Sequence, residues 1–229
     1  MIQMMVFDMA GTTVDEANVV YRTLHQVMKD AGYQLSLDDV MREGAGKEKL
    51  DAIKGLMSLA PLEGTGPTAV EMHKQFLSRL TQAYRDLEVV PFSGVEATFG
   101  ILKQASVKVV LNTGYDRTTA ESLLQKLGWK EGESIDLLVT ADDVERSRPH
   151  PDMIHLAMEK LGIGRAEAVA KIGDSMVDIE EGKAAGCGKT FGITTGAQTR
   201  QQLEQASPTA ILDQMRELLP MLGVSAVSG

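Results

Sequence analysis

The stretch IQMMVFDMAGTTVD, residues 2–15, sets the frame: an apolar run over 2–7 stops at Asp8, and small, polar residues follow. A run with so little alternation suits a strand buried on both faces, as in a parallel sheet covered by helices. Four more segments read the same way: VKVVLN from Val107, DLLVT from Asp136, AVAKIGD from Ala168 and the weaker KTFGIT from Lys189. Helical patterns fall between them, near 94–104, 116–127, 151–161 and 177–185. Strands alternating with helices of that length predict an α/β fold with a doubly wound parallel sheet.

Residues 17–87 break the alternation. Their amphipathic stretches, near 17–31, 36–42, 47–59 and 68–87, are separated by Gly32, by Gly44 and Gly46, and by Pro61 and Pro67. The segment predicts a helical cap, 16–89, inserted into a discontinuous α/β core of 1–15 and 90–229. PFSGV, from Pro91, has the Pro and Gly of a connection, and the small, polar tail after Gly223 is expected to be loose.

Composition narrows the function. A formal charge of −9 leaves no basic stripe for nucleic acid, although a pocket with a local positive field can still take a small anion. Cys187 is the only cysteine, so a reducing compartment fits. The amino terminus MIQMMVFDMA reaches an acid too early for a signal peptide, and no apolar run approaches the ~20 residues of a membrane span. A cytoplasmic protein without a membrane partner is expected.

In an open parallel sheet, ligands bind beyond the carboxyl ends of the strands. Asp8, Thr113, Arg148 and Asp174 all fall at such ends in this reading. Singly, each has a plain role as turn residue, helix cap or solvated charge. Their joint placement on one rim points to a site.

These residues lie in DMAGT, NTGY, SRP and GDSMVD, and the set, in this order, resembles the nucleophile, threonine, basic and acidic motifs of the haloacid dehalogenase superfamily. The resemblance implies a hydrolase in which Asp8 attacks phosphorus and forms an aspartyl-phosphate. It also implies Mg2+ as cofactor, held by Asp8, the Ala10 carbonyl and Asp174, with Asp178 supporting that shell. Gly11, Thr12, Thr113, Gly114 and Arg148 would hold the phosphoryl group of a small phosphonate or phosphate substrate. A homodimer is possible by the same resemblance.

Within the superfamily, D-x-A-G-T-T-V-D followed by T-G-Y is similar to the phosphonoacetaldehyde hydrolases. That family has alanine where phosphatases keep an acid/base aspartate, and a cap lysine that forms a Schiff base with the substrate. Lining up Gly46 and K-x-D-x-x-K-x-L places Lys49 on that lysine. The chemistry agrees: a carbon leaving group needs its charge delocalised, which an iminium does. In the first turn of a helix, with Lys47 nearby, Lys49 would have a lowered pKa. The chain departs from the family at Met9, Ala45 and Ala52, where relatives have tryptophan, methionine and a proton-transferring histidine. The proton donor is therefore open, with His25 and Tyr115 as candidates. A phosphatase for a small monoester and a weakly catalytic phospho-ligand-binding protein are the alternatives.

Overall fold

The computed structural model describes residues 1–45, 47–62 and 66–224. Gly46, residues 63–65 and 225–229 of the expected loose tail lie outside the described residues.

The chain begins with β1 (Met4–Phe7) and the two-residue β2 (Val14–Asp15), then runs through α1 (Val19–Asp30), α2 (Leu37–Gly44), α3 (Lys49–Leu59) and α4 (Ala69–Asp86). It returns through β3 (Val90–Pro91) and continues with α5 (Val95–Gln104), β4 (Lys108–Thr113), α6 (Arg117–Leu127) and β5 (Leu137–Thr140). The last stretch is α7 (Asp152–Leu161), β6 (Val169–Gly173), α8 (Met176–Ala184), β7 (Lys189–Ile193), α9 (Arg200–Gln205), β8 (Ala210–Leu212) and α10 (Leu218–Leu222).

The main sheet is six-stranded, parallel and ordered β5-β4-β1-β6-β7-β8. β1 lies between β4 and β6, with Phe7 level with Leu111 and Ile172, so the ends of these three strands form one rim. Period-two alternation divides β1 between two cores. Met4 and Val6 pack with Val110, Val139 and the α7 residues Met153, Ile154 and Ala157. Met5 and Phe7 face the other core, where Phe7, Phe99 and Trp129 form an edge-on aromatic chain with centroid spacings of 5.0 and 5.3 Å.

The inserted helices form a bundle because each has one apolar stripe. α1 buries Val20, Leu24, Val27 and Met28; α4 buries Met72, Phe76, Leu80 and Tyr84 at four-residue spacing. Capping boxes at Ser36/Asp39 and Thr68/Glu71 start α2 and α4. β2 and β3 pair antiparallel, with Val14 opposite Pro91, at the two ends of the four-helix stretch. This ribbon and β8 are not legible as elements, since each strand has two or three residues and gives no period. No helix among the described residues is long and apolar enough to cross a membrane.

Candidate active site

The turn after β1 is wound around one acceptor. The Met9 carbonyl accepts the N–H groups of Thr12, Thr13 and Val14 at 3.2, 2.8 and 2.9 Å. The Thr13 hydroxyl donates to the Asp8 carbonyl at 2.9 Å, which fixes the backbone under Asp8. Gly11, at φ 81°, lies against Asp174: a Cβ there would fall 2.5 Å from Asp174 Oδ2, so this contact needs glycine. A Cβ on Gly196 would fall 2.0 Å from the same oxygen. The Thr12 hydroxyl is buried without a partner among the described residues, an idle donor in the loop expected to hold phosphoryl oxygens.

Arg148 links the strand ends. Its Nη2 donates to Asp8 Oδ1 at 2.7 Å and to the Asn112 carbonyl at 2.9 Å, and its Nη1 to Asp178 Oδ1 at 2.6 Å. Lys171, a lysine in the middle of β6 with no solvent exposure, donates to Asn112 Oδ1 at 2.6 Å. It also sits 2.9 Å from Asp178 Oδ1 and 3.3 Å from Glu181 Oε2. Asn112 Nδ2 closes the network on Glu181 Oε1 at 2.8 Å. Sequence reasoning missed Asn112, Lys171 and Glu181; the lysine interrupting AVAKIGD was the available signal.

The carboxylates respond differently. Burial works to raise Asp178, but Arg148 and Lys171 overcome it and hold that group below the usual range. Burial raises Asp8, and the attraction of Arg148 does not cancel it. Asp174 is raised well above the ordinary value by burial and by its neighbours Asp8 and Asp178, against a hydrogen bond from the Ala197 amide at 2.6 Å. Carboxylate oxygens of Asp8, Asp174 and Asp178 lie within 4.8 Å of one another. Desolvated anionic oxygens at this spacing, with too few cations around them, fit a hard divalent ion.

Above them is a small cleft. Asp8, Ala10 and Asp174 line it from the sheet, Thr113 and Gly114 from the end of β4, and Tyr21 and Lys49 from the bundle. Thr113 Oγ1 accepts the Tyr115 amide at 3.2 Å. Lys49 is the first residue of α3 and only 7% exposed. Its Nζ donates to the Lys47 carbonyl at 2.8 Å and the Gly44 carbonyl at 3.3 Å, 5.6 Å from the Tyr21 ring centre. Burial, then the charge of Arg148, brings its pKa down to about 8, although Asp8, Glu16 and Glu48 pull upward. Lys47, whose like charge was expected to lower it further, turns instead to Glu43, with Nζ 2.7 Å from Glu43 Oε1.

Of the two candidate proton donors, Tyr115 lines the cleft, whereas His25 is held by the Leu35 carbonyl at 2.9 Å inside the bundle and does not. Ala45 and Ala52 are buried. Beyond Lys49 and Tyr115 a second chamber opens, with Glu48, His73 and Phe76 on its wall.

Known proteins similar to this chain are hydrolases. The chain is 27% identical over 225 residues to a phosphoglycolate phosphatase of Pectobacterium atrosepticum, covering 98% of this chain and 94% of the relative. It is 27% identical over 206 residues to a phosphonoacetaldehyde hydrolase of Bacillus cereus, covering 86% and 77%. A phosphonoacetaldehyde hydrolase-like protein from Oleispira antarctica shares the fold, with a TM-score of 0.83 at 22% identity over 97% of this chain and 91% of that one. The family model of haloacid dehalogenase-like hydrolases matches residues 5–193, from the strand that ends at Asp8 to the one that passes beside Asp174. The chain belongs to that hydrolase family.

Proposed function

We propose that this hydrolase is a Mg2+-dependent, phosphonatase-like enzyme that cleaves the P–C bond of phosphonoacetaldehyde or a related phosphonate through a Lys49 Schiff base. The observation that carries the reading is a buried lysine, with its pKa brought down to about 8, lining one cleft with Asp8 and Ala10. An amine of that basicity is partly neutral near pH 8 and can attack a carbonyl. The Lys49 nitrogen condenses with the substrate aldehyde, and water leaves. Asp8 attacks phosphorus, and the bond to carbon breaks into the protonated imine, which takes up the electron pair. Arg148, Thr113, the Thr12 hydroxyl and the backbone at Gly114 hold the phosphoryl oxygens, whereas the Gly11 N–H, expected to join them, donates to the Val14 carbonyl at 3.0 Å. Water then hydrolyses the aspartyl-phosphate. In the bound state Mg2+ supplies charge neutralisation at the phosphoryl oxygens, held by Asp8, the Ala10 carbonyl and Asp174, with Asp178 behind them. The bundle, as a cap of 16–89 over a core of 1–15 and 90–229, excludes water during these steps.

Borohydride added with an aldehyde phosphonate is expected to trap a covalent adduct on Lys49, with a trapping rate that rises as pH passes about 8. Mass spectrometry of the digested protein locates it. Absence of the adduct, with phosphonate turnover surviving Lys49→Ala, overturns the imine route.

Mg2+ binding is tested without turnover. At one hundred times its Kd, the ion should stabilise the fold by about 2.7 kcal/mol, or roughly 5–10 °C in Tm. The shift should vanish in Asp174→Asn; a full shift in that variant would remove Asp174 from the ligand set.

The similarity to a phosphoglycolate phosphatase over nearly the whole chain favours a second reading, hydrolysis of a small phosphate monoester. Here Ala10 is the handicap, because general acid–base help is commonly worth roughly 10²–10⁴-fold in rate. If this reading holds, Ala10→Asp should raise monoester turnover toward that range while phosphonate turnover in the wild type is absent.

A further inference from the structure

The leaving atom has to be protonated, yet Ala10 has no carboxyl and Ala52 no imidazole. One buried acid near the cleft has no part in the chemistry so far. Glu16 follows β2, where the chain enters the bundle, and is 2% exposed. Its Oε2 accepts the hydroxyl of Tyr84, from α4, and that of Tyr115, from the loop after β4, the latter at 3.1 Å. The two hydroxyls are 3.3 Å apart. Its Oε1 is buried with no partner among the described residues. Tyr115 is at the same time part of the cleft wall, beside Gly114 and Lys49. The Glu16 carboxyl thus holds the phenol of a residue that lines the cleft.

We propose that Glu16 is a positioning residue that stores the leaving-group proton and delivers it through Tyr115. The Tyr115 O–H bond breaks toward the leaving atom as a proton passes from the Glu16 carboxyl to the Tyr115 oxygen. The leaving atom gains a proton, Tyr115 is unchanged and Glu16 becomes a carboxylate that keeps the Tyr84 hydroxyl. The water that hydrolyses the aspartyl-phosphate gives its OH to phosphorus and releases the proton that restores Glu16. The proposal rests on the aspartyl-phosphate reading above and applies to a carbon or an oxygen leaving atom alike.

Electrostatics places the acid in the useful range. The groups facing Glu16 are Tyr84 from α4, Tyr115 from the β4–α6 loop, Lys49 from α3, and Tyr21 and the Val20 amide from α1. Burial lifts its pKa to about 7 even though Tyr84, Tyr115, Lys49 and the Val20 N–H all pull it down. Because the value is raised from the ordinary 4.5, the buried carboxyl holds a proton between those two values where an exposed glutamate has lost it. Proton delivery is therefore available below about 7 and fades as pH rises through it.

The test compares two phosphate monoesters, an alkyl ester that needs a proton on leaving and p-nitrophenyl phosphate that does not. Glu16→Gln keeps an oxygen acceptor for the phenols but has no acidic proton. It should slow the alkyl ester at least roughly tenfold more than the nitrophenyl ester. Tyr115→Phe should show the same selectivity, and Glu16→Asp should keep the wild-type ratio. Damage to the fold slows both esters equally, so equal losses overturn the proposal. Infrared spectroscopy reads the acid without turnover: the wild type should show a protonated carboxyl band that titrates near pH 7 and is missing from Glu16→Gln. Absence of that band also overturns it. If the Schiff-base reading fails, no Lys49 adduct forms while the ester ratio and the band are unaffected; if the relay fails, the adduct still forms.

Discussion

Asp8→Asn is expected to lower turnover by on the order of 10⁴–10⁶-fold while leaving the fold at least as stable as the wild type. The first half follows from the proposed role as nucleophile: an amide has no anionic oxygen to attack phosphorus, and no other carboxylate lining the cleft is free to replace it. Asp174 Oδ2 is engaged by the Ala197 amide and packed against Gly11 and Gly196. Asp178 is tied to Arg148, Lys171 and Ser175.

The second half is a statement about electrostatics. Burial raises the pKa of Asp8 above its ordinary value of 3.8, and Arg148 only partly opposes it. A raised carboxylate favours folding at low pH and loses that contribution as pH increases past the ordinary value, so at neutral pH the ionised group is a net cost. Asparagine carries no such cost, and Arg148 keeps Asp178 and Glu181 as partners. Thermal melts at pH 7 without divalent ions should therefore show a Tm equal to or above the wild type. A fall of several degrees would mean that the Asp8–Arg148 pair holds the fold together rather than serving the chemistry.

How far the sequence foretells this site depends on the range of the interaction involved. The rim was legible because Asp8, Thr113 and Asp174 each end an apolar strand, and period and polarity are local signals. Lys49 was legible as a position on a helix, but the source of its low basicity was not. The sequence offered Lys47 as the neighbour; in the fold, Lys47 turns to Glu43, and burial together with Arg148, 99 positions further along the chain, does the work. Glu16 was invisible for the same reason, since its partners Tyr84 and Tyr115 lie 68 and 99 residues away. The short edge strand β8 has three residues, too few for any period to register. Lys171 is different: it was in plain view inside AVAKIGD, and reading the run as uniformly apolar hid it.

That lysine carries the largest expected effect on stability. Arg148 and Lys171 are the cations of a buried network that also contains Asp8, Asp178 and Glu181. Lys171→Met retains much of the side-chain volume but removes one positive charge, leaving Glu181 and Asp178 to share Arg148. Breaking a buried ion pair from one side commonly costs about 3–5 kcal/mol, because the remaining charge stays desolvated. For a chain of this length that is a loss on the order of 10 °C in Tm. The loss should depend on pH. Burial already holds Glu181 above its ordinary 4.5, with Lys171 and Arg148 pulling it down. Without Lys171 its folded pKa rises further, so the carboxyl can escape the penalty by keeping its proton in acid, and stability falls as pH climbs from that ordinary value through the raised one. Melts at pH 6 and pH 8 should then show the larger deficit at pH 8. Adding Glu181→Gln to Lys171→Met removes the stranded charge and should recover a substantial part of the loss at pH 8. If the double variant is no more stable than Lys171→Met alone, the stabilising role of Lys171 lies in packing within β6 rather than in charge.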